Sequence, residues 1–269
     1  MPELPEVETV RRTLAPAVEG RTIAVASFAW PRTCVGDPRA TTARLAGQRI
    51  ERLERYGKYL LFGLRRDGRD SLLIVHLRMT GRLIVNAASG AHTRACVSLD
   101  DGTTVVFDDT RKFGRWQWAE HLPARLAALG PDPLVIGPDE FAARLRSRRA
   151  RLKALLLDQE FLRGLGNIYA DEALFRARLH PLRSASGVGP RKARELHGAI
   201  QDVLRDAIDA GGTSIRDYRD SRGEPGAFQR QIRIYGRAGA PCVSCGTHVR
   251  RVLVAQRSTY FCPRCQRRE

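Results

Sequence analysis

No stretch of this 269-residue chain approaches the roughly 18 apolar residues in a row that a membrane-spanning helix requires, the longest runs being short pieces such as Leu72 to Leu77. A basic segment leading into an apolar one, as a secretory leader would have, is also missing, because Met1 is followed by acids and prolines. The sequence therefore reads as a soluble, cytoplasmic protein with no membrane partner. Lysine is scarce: only Lys58, Lys112, Lys153 and Lys192 stand among the 46 basic residues. Acids number 29, which leaves a formal net charge of +17. With 43% hydrophobic and 28% charged residues, the chain is neither a disordered tail nor a collagen-like fibre. At ~150 residues per domain, its length suggests two globular units with cores that need no disulfides.

The excess of arginine points to a polyanionic partner, nucleic acid first, since each phosphate neutralised by a cation releases condensed counterions. A general enrichment of arginine would give the same balance, so a single surface arginine carries little information. The few lysines carry more, because an ammonium can be deprotonated when desolvated and a guanidinium cannot.

Between Ile23 and Trp118 short alternating or β-branched runs recur, at Thr22 to Val25, Tyr59 to Phe62, Leu72 to Leu77, Ala95 to Leu99 and Thr103 to Phe107. Turn pairs such as Asp67-Gly68 and Asp101-Gly102 separate them, and the region reads as an antiparallel β-sandwich. Ahead of it, Pro5 to Ala17 places Val7, Val10 and Leu14 on one helical stripe, with Glu6 and Glu8 in the acid-favouring first turn. Gly130-Pro131-Asp132-Pro133 breaks every period and marks a boundary or hinge. Beyond it the pattern turns helical, with starts at Pro138 and Asn167, a helical stretch at Leu152 to Leu157, and a long run from Pro190 to Ala210 stopped by Gly211. The expected fold class is α+β. Residues 1–129 form the sandwich with its N-terminal helix, 130–137 the hinge, 138–227 a helical domain and 228–269 a cysteine-bearing hairpin.

Cys242-x2-Cys245-x16-Cys262-x2-Cys265 has the spacing of two knuckles wrapping a tetrahedral ion. Disulfide pairing is the competing reading, and the isolated Cys34 and Cys96 in a cytoplasmic chain argue against it. Four thiolates leave no open coordination position, so the zinc expected here is structural, with His248 a bystander. Arg250, Arg251 and Arg257 lie between the knuckles, and Phe228 to Glu269 holds nine arginines against one acid. Gly164-Leu165-Gly166-Asn167 lies between helical patterns, where glycines let backbone N–H groups approach a phosphate. Gly187-Val188-Gly189-Pro190 is read as an ordinary helix start. At the N-terminus, removal of Met1 would leave Pro2 a free secondary amine, and since α-amino groups have a reference pKa of about 7.7 to 8.0, a useful fraction would be neutral and nucleophilic at physiological pH. Glu3 beside it could move protons, its carboxyl raised if it is buried near Glu6.

Together these segments resemble the bacterial formamidopyrimidine-DNA glycosylases, in the group that includes endonuclease VIII, over nearly the whole chain. The resemblance is carried by Pro2 to Glu8, Gly57 to Leu60, His76 to Gly81, Asp109 to Gly114, Gly164 to Tyr169, Gly211-Gly212-Thr213, Tyr235-Gly236-Arg237 and Ala255-Gln256-Arg257. It implies a bifunctional base-excision-repair enzyme that flips an oxidised purine from duplex DNA, cleaves the glycosidic bond and cuts the strand by β,δ-elimination. It makes the helical domain a helix-two-turn-helix and the hairpin a four-cysteine zinc finger. By the same resemblance Pro2 attacks C1′, Glu3 shuttles protons at the opened sugar, Lys58 assists near the lesion, and Arg257 binds the phosphate and aids the last elimination. Met79, Arg111 and Phe113 fill the void left by the flipped base, and His92, Arg148 and Asn167 contact the DNA backbone. The segment after Gly211, through Tyr218 and Phe228, is expected to cover the flipped base. The protein should act as a monomer.

Some positions depart from the family pattern: Arg78 stands for the usual Gly, Thr110 for Pro, Lys112 for the commoner Arg and Ala154 for a frequent Pro. An endonuclease VIII type enzyme for oxidised pyrimidines is the nearest alternative, disfavoured by Leu4 and by the Met79, Arg111 and Phe113 set. A non-catalytic, zinc-stapled DNA-binding protein is the alternative of a different class.

Overall fold

In the computed structural model, which describes residues 1–214 and 217–268, the first helix α1 (Leu4–Val18) buries the stripe Leu4, Val7, Val10 and Leu14 completely. The chain then runs through β1 (Ile23–Ser27), α2 (Pro38–Leu45), β2 (Arg49–Tyr56), β3 (Tyr59–Arg66), β4 (Arg69–His76), β5 (Arg82–Val85), β6 (Thr93–Leu99), β7 (Thr104–Asp108), β8 (Arg115–Ala119) and α3 (Ala124–Ala127). Two antiparallel four-stranded sheets result, ordered β1-β6-β7-β5 and β2-β3-β4-β8. Their inner faces share one core, in which Ile23, Val97 and Phe107 of one sheet meet Leu53, Phe62 and Leu73 of the other, with Val7, Val10 and Leu14 of α1 packed on them. Asp67 (φ 51°) and Gly68 (φ 75°) form the tight β3–β4 turn that a two-residue hairpin loop demands.

The five strand runs read from the sequence appear as β1, β3, β4, β6 and β7, whereas β5 and β8 are not among them and β2 has no alternating run to announce it. Its buried residues Ile50 and Leu53 are three apart, a helix-like interval, because a bulge between Ile50 and Arg52 shifts the phase of the strand.

The second unit contains α4 (Pro138–Arg146), α5 (Leu152–Leu157), α6 (Asn167–Arg176), α7 (Pro190–Asp209) and the hairpin of β9 (Arg250–Val254) with β10 (Arg257–Phe261). Contacts group Met1–Ala127 with Ala210–Ala227, and Ala128–Asp209 with Phe228–Glu269. The segment 210–227, expected with the helices, therefore packs on the N-terminal unit. Hydrogen bonds account for this: the hydroxyl of Ser221 meets that of Thr13 at 2.7 Å, and the N–H of Val85 donates to the Ser221 carbonyl. The cysteine hairpin does not stand alone either, since Phe175 of α6 packs with Ile234, Val249, Cys242 and Cys262. Among the described residues no helix is long and apolar enough to cross a membrane.

Two buried groups lend themselves to measurement. Lys153, with no exposed surface, holds its ammonium 2.8 Å from Asp171 and donates to the Asn167 carbonyl at 2.7 Å. Burial pushes the Asp171 carboxyl up to about 6 against the opposing pull of Lys153. Lys153→Met would strand that carboxylate in the interior and is expected to lose about 3–5 kcal/mol in urea unfolding, part of which Lys153→Met/Asp171→Leu should recover. His76 is likewise buried, its Nδ1 accepting the Arg78 N–H at 2.9 Å and its ring edge-on to Tyr59. Burial, together with the charges of Arg78, Lys58 and Arg125, lowers its pKa to about 3. Below pH ~6.5 the unfolded chain therefore takes up a proton that the native state refuses, so stability present at neutral pH is lost as pH falls toward 3. Urea midpoints measured from pH 7 to pH 4.5 should fall, and His76→Asn, which keeps an acceptor without titrating, should flatten that fall.

Candidate active site and DNA interface

The N-terminus is fixed by one carboxylate. Glu3 caps α1 and its N–H donates to Glu6 Oε2 at 2.7 Å, the return half of a capping box. The other oxygen of Glu6 accepts the N–H of Thr213, also at 2.7 Å. Gly212, at φ 84°, lets the chain come this near: a Cβ there would lie 3.1 Å from both Glu6 and Tyr218. The Tyr218 hydroxyl donates to the Glu6 carbonyl, and burial with the nearby Glu6 charge pushes its phenol well above the ordinary tyrosine range. Glu3 and Glu6 are 4% and 2% exposed and Pro2 is buried, whereas Met1 is 51% exposed. Lys58 follows Gly57 (φ 61°) in the two-residue β2–β3 turn and is itself buried.

A second cluster joins Met79 to Arg111 and Phe113, which come from one turn more than thirty residues further along the chain. The Arg111 guanidinium donates to the Met79 sulfur at 3.0 Å and lies over the Phe113 ring at 4.9 Å. Met79 and Phe113 are 40% and 45% exposed, so these are surface apolar groups held in place and not core. Buried Asp109 builds the platform. Its carboxylate accepts the Thr80 hydroxyl and the N–H groups of Arg111 (3.2 Å) and Gly114 (2.7 Å), which locks the Met79 and Phe113 loops together. Arg94, also buried, donates to the Asp109 carbonyl at 2.9 Å and lies 3.4 Å from Nδ1 of the exposed His92. Arg78 adopts φ 58°, which explains why glycine is usual there. Its N–H bond to His76 offsets part of a left-handed penalty of roughly 1–2 kcal/mol.

In the second unit, α6 organises the finger. Glu172 accepts the N–H groups of Arg233, Ile234 and Tyr235, and Asp171 accepts that of Tyr260. Asn167 Nδ2 donates to the Ser258 carbonyl at 2.9 Å, so its amide is spent in part on holding β10. Ala255 and Gln256, both left-handed, turn β9 into β10 and deliver exposed Arg257 as the first residue of that strand. The sulfurs of Cys242, Cys245, Cys262 and Cys265 all lie within 4.8 Å of one another, with Cys245–Cys262 at 3.5 Å and Cys242–Cys265 at 3.9 Å. A tetrahedron of ~2.3 Å Zn–S bonds has edges of about 3.8 Å, so the set fits one zinc ion, and that zinc is structural. His248 stands outside the cluster.

Pro2, Glu3, Lys58, Met79, His92, Arg111 and Phe113 thus lie in the first unit, and exposed Arg148, Asn167, Arg257 and the four cysteines in the second. Of the segment expected to cover a flipped base, Ile215 and Arg216 lie outside the described residues. Phe228 does not serve that purpose, being 2% exposed and packed on Tyr169 in the core of the second unit. Sequence reasoning gave no role to Asp109, Arg94 or Glu172. Only the neighbouring motif residues marked Asp109, while Arg94 and Glu172 look like ordinary surface charges.

Three family profiles match the chain: the formamidopyrimidine-DNA glycosylase N-terminal domain over residues 1–116, its H2TH domain over 129–219, and the zinc finger found in FPG and IleRS over 239–268. A formamidopyrimidine-DNA glycosylase of Solibacter usitatus is 51% identical over the full length of both chains, and one of Chloroflexus aurantiacus is 47% identical over 99% of this chain and 98% of its own. Among solved structures, the MutM (FPG) protein of Thermus thermophilus aligns with a TM-score of 0.88 and 43% identity, covering 98% of each chain. The Lactococcus lactis Fpg bound to an N7-benzyl-Fapy-dG containing DNA aligns with a TM-score of 0.90 and 35% identity, covering 99% of this chain and all of that one. With both units and the finger matched in order, the chain belongs to the formamidopyrimidine-DNA glycosylase family.

Proposed function

We propose that the protein removes oxidised purines from duplex DNA in base-excision repair and then cleaves the abasic strand, with the Pro2 nitrogen as nucleophile. The observation that carries this reading is the Pro2-Glu3 pair buried at the positive end of α1 and pinned there by Glu6. Once Met1 is gone, Pro2 at that end of the helix is a secondary amine whose lone pair is the nucleophile.

In this mechanism Pro2 attacks C1′ and the bond to the damaged base breaks, the electron pair leaving with the base. Glu3 takes the proton that the Pro2 nitrogen loses after attack and delivers it to the ring oxygen as the sugar opens, which gives an iminium between Pro2 and C1′. Glu3, now a carboxylate, takes the C2′ proton as the 3′ phosphate leaves, and loss of the C4′ proton in a second elimination expels the 5′ phosphate. Each departing phosphate gains negative charge, which Lys58 and Arg257 stabilise. Met79, Arg111 and Phe113 occupy the emptied stack, an apolar wedge beside a forked donor that can reach the unpaired base. His92, Arg148 and Asn167 bind the flanking backbone. The zinc finger holds Arg257 in place and takes no part in a step.

Borohydride trapping tests this directly, after mass spectrometry confirms loss of Met1. A covalent adduct is expected on duplex with 8-oxoguanine opposite cytosine, stronger than on an oxidised-pyrimidine duplex and at least tenfold weaker for Pro2→Gly. Preference for the pyrimidine lesion would assign the chain to endonuclease VIII chemistry, and absence of any adduct would leave a DNA-binding protein.

A further inference from the structure

Lys112 interrupts the wedge sequence, and its side chain does not join the cluster formed by its neighbours. Arg111 and Phe113 engage each other and Met79, while the Lys112 ammonium lies 4.3 Å from the ring centroid of Trp30. Trp30 is remote in sequence and belongs to none of the motifs above. Among the described residues its buried indole N–H has no hydrogen-bond partner, so the ring face makes the polar contacts, with Lys112 nearer than the Arg32 guanidinium at 5.9 Å. The platform is fixed from behind: the backbone N–H of Trp30 donates to the Arg94 carbonyl, and the Trp30 carbonyl accepts the N–H of Thr33. Arg94 is the residue whose guanidinium also holds the Asp109 carbonyl. One buried arginine therefore supports both the ring and the turn on which Lys112 stands. That turn needs support, because Lys112 adopts φ 60°, a conformation natural to glycine and unfavourable for lysine.

We propose that Trp30 is a positioning residue for base extrusion: its ring clamps Lys112 by a cation–π contact and so holds the Arg111–Phe113 turn in the conformation that enters the DNA stack. The clamp opposes collapse of the turn while an apolar wedge is driven between base pairs. It matters for drawing out a stacked base and much less at a site where the base is already gone. The inference rests on the wedge role given above to Met79, Arg111 and Phe113.

The test is a double-mutant cycle of Trp30→Leu and Lys112→Gln, with Trp30→Phe and Lys112→Arg as conservative variants and Phe113→Ala as the reference for the wedge. The single changes are expected to lower kcat for excision of 8-oxoguanine opposite cytosine by about three- to tenfold, with KM for the duplex little altered. The double variant should be no worse than either single. Trp30→Phe and Lys112→Arg should restore most of the rate, and strand cleavage at a preformed abasic site should proceed at the wild-type rate in all of these. Lys112 is exposed, so its variants should melt as the wild type does even if Trp30→Leu is destabilised. Additive losses, or loss with Lys112→Gln but not with Trp30→Leu, would assign Lys112 to a phosphate and overturn the clamp. Equal losses on the abasic substrate would overturn it as well. If Phe113→Ala itself excised normally, the wedge reading would fall and the clamp with it; a defective Phe113→Ala beside normal Trp30 variants would remove the clamp alone.

Discussion

The two oxygens of Glu6 set the position of the N-terminus. A carboxylate is acceptor-only, so it can take the N–H of Glu3 on one oxygen and that of Thr213 on the other without rotating a donor into the site. Each is a charge-assisted bond to backbone, in the class worth about 1.5–3 kcal/mol. Backbone-to-carboxylate bonds fix main-chain position rather than side-chain pose, and a nucleophile that is itself a main-chain nitrogen needs that kind of restraint. The same residue ties residues 210–227 to α1, which is why a segment that follows the long helix in sequence packs with the sandwich in space.

Glu6 is one case of a wider arrangement. In a chain of net charge +17, buried carboxylates organise the interior. Asp109 gathers the wedge loops, Glu172 cradles three N–H groups ahead of the finger, Asp171 ties α6 to β10, and Asp220 accepts from Arg222 and Glu224. Glu8 is the partner of side chains instead, with burial raising its carboxyl and Arg11, Arg12 and Arg55 outweighing that to hold it below the usual range. The division follows from solvation. A carboxylate that accepts several backbone donors recovers much of what it loses on leaving water, while a guanidinium has five donors to satisfy and is more easily left outside. Apart from the buried Arg94, the described arginines are thereby left at or near the surface, where a polyanion can reach them.

The fold was legible in the sequence where one period dominated. The stripes of α1 and α7, the turn at Asp67-Gly68 and the cysteine spacing each follow from a single local rule. Strand β2 was hidden because its bulge changes the period partway along. Among the site residues, Pro2, Glu3 and the cysteines could be argued from their own chemistry. Met79 and Phe113 could not, since exposed apolar residues look like core in a string of letters, and only family resemblance marked them. Asp109 and Arg94 were illegible for another reason: Asp109 joins the nearby N–H groups of Arg111 and Gly114 to the hydroxyl of distant Thr80, Arg94 reaches the Asp109 carbonyl, and no local pattern encodes that meeting.

The four lysines show what composition can still say once geometry is known. Against a background of arginine, an ammonium has a distinct use wherever acceptors converge on a point and do not lie in a plane. Lys153 meets a carboxylate oxygen and a carbonyl inside a fully buried pocket, an arrangement that a planar fork would fill badly. Lys58 is buried in the tight turn between β2 and β3. Lys112 rests on an aromatic face. Lys192, 2.6 Å from Glu195, is the one of the four engaged in an ordinary helical surface pair, which arginine could make equally well. Of the four, Lys153 departs furthest from what a guanidinium can do, whereas the aromatic face under Lys112 would take an arginine as well.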